Sequence, residues 1–362
     1  MGNVNSGGVD GHVPENVLVT GGGGFLGSHI VRALVARGDR VRIFARGAYP
    51  ELEALGVEIC RGSLHDAEAV RRACVGRDIV FHVAAKVGIW GKREAFHQTN
   101  VVGTEHVLEA CRQEGVRRLI HTSSPSVIFD GSEMEGVDES LPYPRRFSAH
   151  YPATKAEAEK RVLAALDENL RGIILRPHLI WGPGDPHLVP RLLKKAPTLR
   201  IVGRGTNLVD SLYIDNAVQG HIRAGDALRT NEALSGRIYF LAQGEVLPLW
   251  DLINRILEAG GRPKVTRSIP YGVAYALGAV FEGLYTLLGM DGEPPMTRFV
   301  AGELAKSHYF DLSAARRDLG YSPTVDLEEG LQRLRAWLEE SGEGTLGRRR
   351  PGIDSTPIRG RG

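Results

Sequence analysis

Asn16-Val-Leu-Val-Thr-Gly-Gly-Gly-Gly-Phe-Leu-Gly27 is the stretch that decides the fold. Asn16 to Thr20 reads as a short buried strand, and Ser28 to Arg37 then sets Ile30, Val31, Leu34 and Val35 on one side of a helix. A glycine turn between strand and helix aims backbone N–H groups and the positive helix end at a pyrophosphate. Gly21 and Gly24 let the chain turn and approach phosphates, and Gly27 lets the helix pack closely on the strand. Onward to about Pro183, strands keep alternating with helices. That rhythm predicts an α/β fold, a Rossmann doubly wound parallel sheet that binds a dinucleotide.

The next strand, Arg40-Val-Arg-Ile-Phe44, ends where such folds choose between cofactors. A carboxylate there holds the ribose 2′-hydroxyl of NAD. This chain has Ala45-Arg46, and Asp39 stands at the wrong end of the strand. A guanidinium can pair with a 2′-phosphate that nothing repels, so NADP(H) is favoured over NAD(H).

Further along, Leu119-Ile-His-Thr-Ser-Ser124 reads as a strand ending in hydroxyls, and His150-Tyr-Pro-Ala-Thr-Lys155 follows. Tyr151 and Lys155, four apart, leave one face of a helix. A nearby ammonium stabilises a phenolate, which makes a tyrosine usable as a general acid or base at neutral pH. Ser124 supplies the second hydrogen bond that would hold a substrate oxygen, while Thr122 and Ser123 cap the strand or touch the nicotinamide ribose.

Taken together, Thr20-Gly-x-x-Gly-x-x-Gly27, Asn100-Val-Val-Gly-Thr104, Thr122-Ser-Ser124, Tyr151-x-x-x-Lys155 and Arg176-Pro-His-Leu-Ile-Trp-Gly-Pro-Gly184 resemble an extended short-chain dehydrogenase/reductase. The resemblance runs from about Asn16 to about Leu338. Ser124-Pro-Ser-Val-Ile-Phe-Asp-Gly131 and Asn207-Leu-Val-Asp-Ser-Leu-Tyr-Ile-Asp215 are most similar to the 3β-hydroxysteroid dehydrogenase branch. Ala84-Ala-Lys-Val-Gly-Ile-Trp-Gly91 and Pro294-Pro-Met-Thr-Arg-Phe299 look closer to the bacterial 2-alkyl-3-oxoalkanoate reductases of long-chain olefin synthesis.

By position, the resemblance implies that Tyr151 donates the proton in reduction, Lys155 holds the nicotinamide ribose and Ser124 binds the substrate oxygen. It gives Phe25 and Leu26 to the pyrophosphate, Ala84 and Ala85 to the cofactor's border and Pro177 to the nicotinamide. At the adenine edge the chain reads Gly62-Ser63-Leu64 where the family commonly has Gly-Asp-Leu. The implied reaction is NADPH-dependent reduction of a long-chain 2-alkyl-3-oxoalkanoate to the 3-hydroxy acid. The alternatives are a 3β-hydroxysteroid or 4-carboxysterol 3-dehydrogenase running oxidatively, and a non-catalytic nucleotide-binding redox sensor. The 2-alkyl-3-oxo acid and the 4-carboxysterol each carry a carboxylate on the carbon next to the reacting one, for which Lys86 and His178 are the candidate partners.

The resemblance also implies a homodimer, formed through helices at Asn100 to Glu114 and Tyr151 to Leu166, and allows assembly with pathway enzymes.

A chain of 362 residues with a formal charge of +2 is too balanced to argue for nucleic acid. Three cysteines, odd in number and without metal spacing, suit a reducing, cytoplasmic compartment, and no histidine pattern calls for a metal. The expected organisation is a loose tail over 1–14, the NADP-binding domain over 15–184, a smaller substrate lobe over 185–340 and a second tail over 341–362. Leu208 to Tyr213 and Arg237 to Leu241 look like strands returning to the core. Ile269 to Met290 is apolar except for Glu282 and reads best as a hairpin of helices covering an apolar pocket. The same surface could rest on a membrane.

Overall fold

The computed structural model describes residues 12–290 and 292–342, so the Arg348-Arg-Arg350 run and most of the first tail lie outside the described residues. Seven parallel strands form the main sheet: β1 (Asn16–Thr20), β2 (Arg40–Ala45), β3 (Glu58–Arg61), β4 (Ile79–His82), β5 (Arg118–Thr122), β6 (Arg171–Pro177) and β7 (Ile238–Leu241). Their spatial order is 7-6-5-4-1-2-3. The order reverses between β1 and β4, and a crevice opens there at the carboxyl ends of the strands.

The strands are apolar on both faces because helices cover both. In β1, Val17, Leu18 and Val19 have no exposure. Alternation then divides the core: Val17, Val19, Ile43 and Phe81 join one cluster, and Leu18, Phe44 and Val80 the other. Helix α1 (Phe25–Ala36) lays Ile30, Val31 and Leu34 on the first side. A π-helical turn over Gln98–Val102 leads into α2 (Gly103–Gln113), which packs beside α3 (His150–Ala165). Arg161 Nε of α3 lies 3.2 Å from Glu105 Oε1 of α2.

Leu208–Val209 and Leu212–Tyr213 are strands that bury Val209, Leu212 and Tyr213 in the core, and Ile238–Leu241 joins the main sheet as β7. The first two pair in small sheets, with Leu247–Pro248 and His308–Phe310, and with Ile180–Trp181. Buried Asp210 breaks the run, because its carboxylate accepts from Ser211 N and Gly244 N and turns the chain. The tail also ends sooner than its composition suggests, since His12 Nε2 sits 2.8 Å from Asp39. Asp39 is held there by Arg37 as well, 2.8 Å away and at the start of β2.

The apolar segment forms α4 (Tyr271–Leu287), which packs against α5 (Arg298–Ala305). Only Ala274 and Gly278 of α4 are fully buried, and Val273, Leu277, Val280 and Leu284 stay exposed. No helix of the described residues is long and apolar enough to cross a membrane.

One buried ion pair ties α3 to the sheet. Arg176 of β6 donates to both oxygens of Glu159 of α3, at 3.0 and 2.8 Å, and Tyr143 Oη donates to Glu159 at 2.7 Å. The two charged side chains are 2% and 0% exposed. Glu159→Ala leaves the guanidinium buried and uncompensated, and is expected to lower unfolding free energy in urea by about 3–5 kcal/mol. The double variant Glu159→Leu/Arg176→Met should lose clearly less than that single change.

Candidate active site

The glycine loop is built by close approach rather than by flexibility. Gly21 takes φ +68°, and a Cβ there would lie 2.8 Å from Ala84 Cα. At Gly27 a Cβ would come within 2.2 Å of Gly21 O. Gly24 caps α1 with no side-chain bond, so the helix end faces the crevice bare. That geometry suits a phosphate group.

Around this loop lies a cavity of about 770 Å³. The strand ends feed it in turn: Gly21 after β1, Arg46 after β2, Ser63 and Leu64 after β3, Ala84 and Ala85 after β4, Ser124 after β5, and Pro177 closing β6. Gly24, Phe25, Leu26 and Gly27 line it from α1, Tyr151 and Lys155 from α3. Residues spread over more than 150 positions are thus brought to one surface. Arg46 is exposed, and Asp185, on the β6 side, is the sole carboxylate in the lining. The buried Ser123 hydroxyl has no hydrogen-bond partner among the described residues and borders the same cavity. An orphaned donor there fits a hydroxyl-rich ligand such as a ribose.

Tyr151 is half-buried, and desolvation raises its phenol above the ordinary value, while the nearby Ser124 hydroxyl opposes that rise. Ser124 in turn is fixed by Ser126, whose hydroxyl lies 2.9 Å away and whose N–H donates to it at 3.3 Å. Burial depresses Lys155 to about 8, and the Glu159 carboxylate opposes that loss of charge. Lys155 Nζ donates to Thr122 O at 2.6 Å and stands 3.5 Å from His121 Nε2.

Several contributors escaped sequence reasoning. Asn100 accepts from Lys86 N at 2.7 Å and donates to Lys86 O at 3.1 Å and Thr154 Oγ1 at 3.0 Å. It clamps the loop after β4 to the residue preceding Lys155. Tyr49 lies over the glycine loop, for a Cβ on Gly23 would meet its ring. Leu179 holds φ +44°, strained for a branched side chain, and borders the cavity. Of these, only Asn100 sits inside a motif that sequence could flag.

The two carboxylate candidates part company. Lys86 lines the cavity, its Nζ 5.2 Å from the centre of the Phe96 ring. His178 does not line it. Its ring is buried against Phe310, with Nε2 3.0 Å from His308 Nδ1, and burial followed by His308 pushes it well below its ordinary value. A neutral, enclosed imidazole offers no cation to a substrate. Among the described residues no cluster of His, Cys, Asp or Glu could hold a metal ion.

Comparison with known proteins follows the same lines. Among curated proteins, 2-alkyl-3-oxoalkanoate reductase of Stenotrophomonas maltophilia is 50% identical over 325 residues, covering 88% of this chain and 98% of that protein. Sterol-4-alpha-carboxylate 3-dehydrogenase, decarboxylating, of Mus musculus is 34% identical over 326 residues, covering 88% and 90%. Among solved structures, gox2253 superposes with a TM-score of 0.73 at 27% identity, over 91% of this chain and 99% of that one. MoeE5 in complex with UDP-glucuronic acid and NAD gives 0.70 at 25%, over 90% and 99%. Residues 18–270 match a family model that spans the glycine loop, the hydroxyl strand and the Tyr151/Lys155 helix together. The chain therefore belongs to the 3-beta hydroxysteroid dehydrogenase/isomerase family.

Proposed function

We propose that this chain is an NADPH-dependent reductase of 2-alkyl-3-oxoalkanoates, forming the 2-alkyl-3-hydroxy acids. The observation that carries the reading is the meeting of Tyr151, Ser124 and Lys155 with the glycine loop on one cavity. The 50% identity to a reductase of that name supports this substrate class over a sterol, whose named relatives stand near 34%.

When bound, the dinucleotide supplies the hydride that reduces the ketone carbon. The protein's own residues supply the rest. Gly21, Gly24 and Gly27 give the pyrophosphate its approach, with N–H groups from Phe25 and Leu26. Arg46, unopposed by a carboxylate at that end, receives the 2′-phosphate. Ser63, Leu64, Ala84, Ala85 and Pro177 border the nucleotide. Ser124 donates to the ketone oxygen and steadies it, while Tyr151, kept protonated by burial, gives up its phenolic proton as the carbinol forms. The Lys155 ammonium then faces a phenolate and a ribose. Lys86, at the cavity wall, is the cation for the substrate carboxylate.

The deciding assay is NADP+ reduction with a long-chain 2-alkyl-3-hydroxy acid beside a 3β-hydroxysterol; the hydroxy acid is used because 3-oxo acids lose CO2. Turnover of the sterol alone would move the protein to the steroid reaction. Tyr151→Phe is expected to lower kcat by about 10²–10⁴-fold with dinucleotide binding intact by fluorescence titration. Full activity in that variant would sink the mechanism. Arg46→Ala should raise KM for NADPH by about tenfold and leave that for NADH within about twofold. Lys155 loses its charge as pH rises through about 8, so kcat/KM for reduction should be level below that value and fall above it. Lys155→Arg, where some activity survives, should carry the alkaline limb upward, because a guanidinium keeps its proton.

A further inference from the structure

A second cavity, of about 990 Å³, adjoins the first. The wall between them is a single layer of chain. Tyr151 lines the first and its neighbour His150 the second; Ala95 lines the first and Phe96 the second; Val87 lines the first and Ile89 the second. Phe96 stands in the partition, 6.5 Å from the His150 ring and 5.2 Å from Lys86 Nζ.

The far wall is α4. Ala279, Glu282, Gly283 and Thr286 recur at helical spacing on the side that faces the cavity, and Met290 closes it just beyond the helix end. The small side chains leave room, and Trp90 meets Tyr285 edge-on at 6.2 Å across it. The charges in this wall are already engaged: Glu282 accepts from Arg298 N and Nε at 2.7 Å each, and Glu293 accepts from Arg191. Aromatic and aliphatic side chains supply the rest of this wall, while Lys92, Arg93 and His150 also line the slot, none of them a group the reduction uses. Its size falls within the range of small-molecule sites.

This inference rests on the reductase reading. A 2-alkyl-3-oxoalkanoate has two hydrocarbon arms, one from C2 and one beyond C3, leaving adjacent carbons. With the ketone at Tyr151, the first cavity of about 770 Å³ also has to hold the dinucleotide along the strand ends, so a second space is needed for a long arm. We propose that the second cavity receives one arm, which passes Phe96 and His150 and lies along the Ala279–Gly283–Thr286 face of α4. The enzyme is thereby selective for branched, two-armed acids over single-chain 3-hydroxy acids.

Gly283 offers the test, because a Cβ there meets nothing within 4 Å and its backbone needs no glycine. Gly283→Leu should fold normally and fill the slot, with Gly283→Ala as the near-wild-type control. Four hydroxy acids are assayed, with each arm either long or cut to methyl. Each methylene that the slot buries contributes about fourfold to kcat/KM. Gly283→Leu is expected to lower kcat/KM at least about tenfold for substrates long in one particular arm, and to leave those short in that arm within about twofold. Equal effects on all four acids, or no effect on any, would overturn the tail site while wild-type turnover upheld the reductase. Wild-type turnover of none of the four would instead remove the reductase reading, and the inference with it.

Discussion

The Arg176–Glu159 pair is the constraint on which the site depends. Tyr151, Lys155 and Glu159 occupy successive turns of one face of α3, so fixing the lowest of them fixes the two above. Arg176 reaches Glu159 from β6, the strand whose last residue, Pro177, borders the cavity, and its guanidinium also lies over the Phe240 ring at 5.5 Å. Two charges this deep are costly to bury, and only their mutual bonding, with Tyr143 on the same carboxylate, offsets that cost. The same carboxylate acts on Lys155, holding its charge against burial. Anchor and electrostatic support are one residue.

Beneath the glycine loop a second polar layer does similar service without charge. His82 bridges Thr20 Oγ1 at 2.7 Å and Thr104 Oγ1 at 3.0 Å, joining β1 to α2, and burial holds its imidazole down to about 3. His221 binds Thr122 Oγ1 at 3.0 Å, beside the carbonyl that receives Lys155. Neutral imidazoles can stay buried because both ring nitrogens find partners, as those of His82 and His221 do. They let hydroxyls at the strand ends be oriented from behind, leaving their cavity side for ligand.

Much of this was legible in the chain. The strand of Asn16 to Thr20 forms as read and the helix after the glycines starts three residues earlier, at Phe25, because each is set by local spacing. Ser124 and Tyr151 line the same cavity. The misses are long-range. His178 looked like a ligand for a carboxylate because nothing near it in sequence shows that His308, 130 residues on, closes over it. Leu208 to Tyr213 has strand composition throughout, and only the fold reveals that Gly244 captures Asp210 and bends the run.

Helix α4 deserves a different accounting from the rest. Seventeen residues long, it buries only Ala274 and Gly278 fully, and Gly278 touches α5 so closely that a Cβ would sit 2.6 Å from the Thr297 carbonyl carbon. A helix attached by so narrow a strip lies at the low end of the molecule's local stabilities. Its amides should exchange with deuterated solvent well before those of β1 or β4, whose side chains are sealed on both faces. The crevice at the strand ends is rigid because the sheet is; the hydrocarbon wall is soft, and a ligand that packs against it also helps to hold it in place.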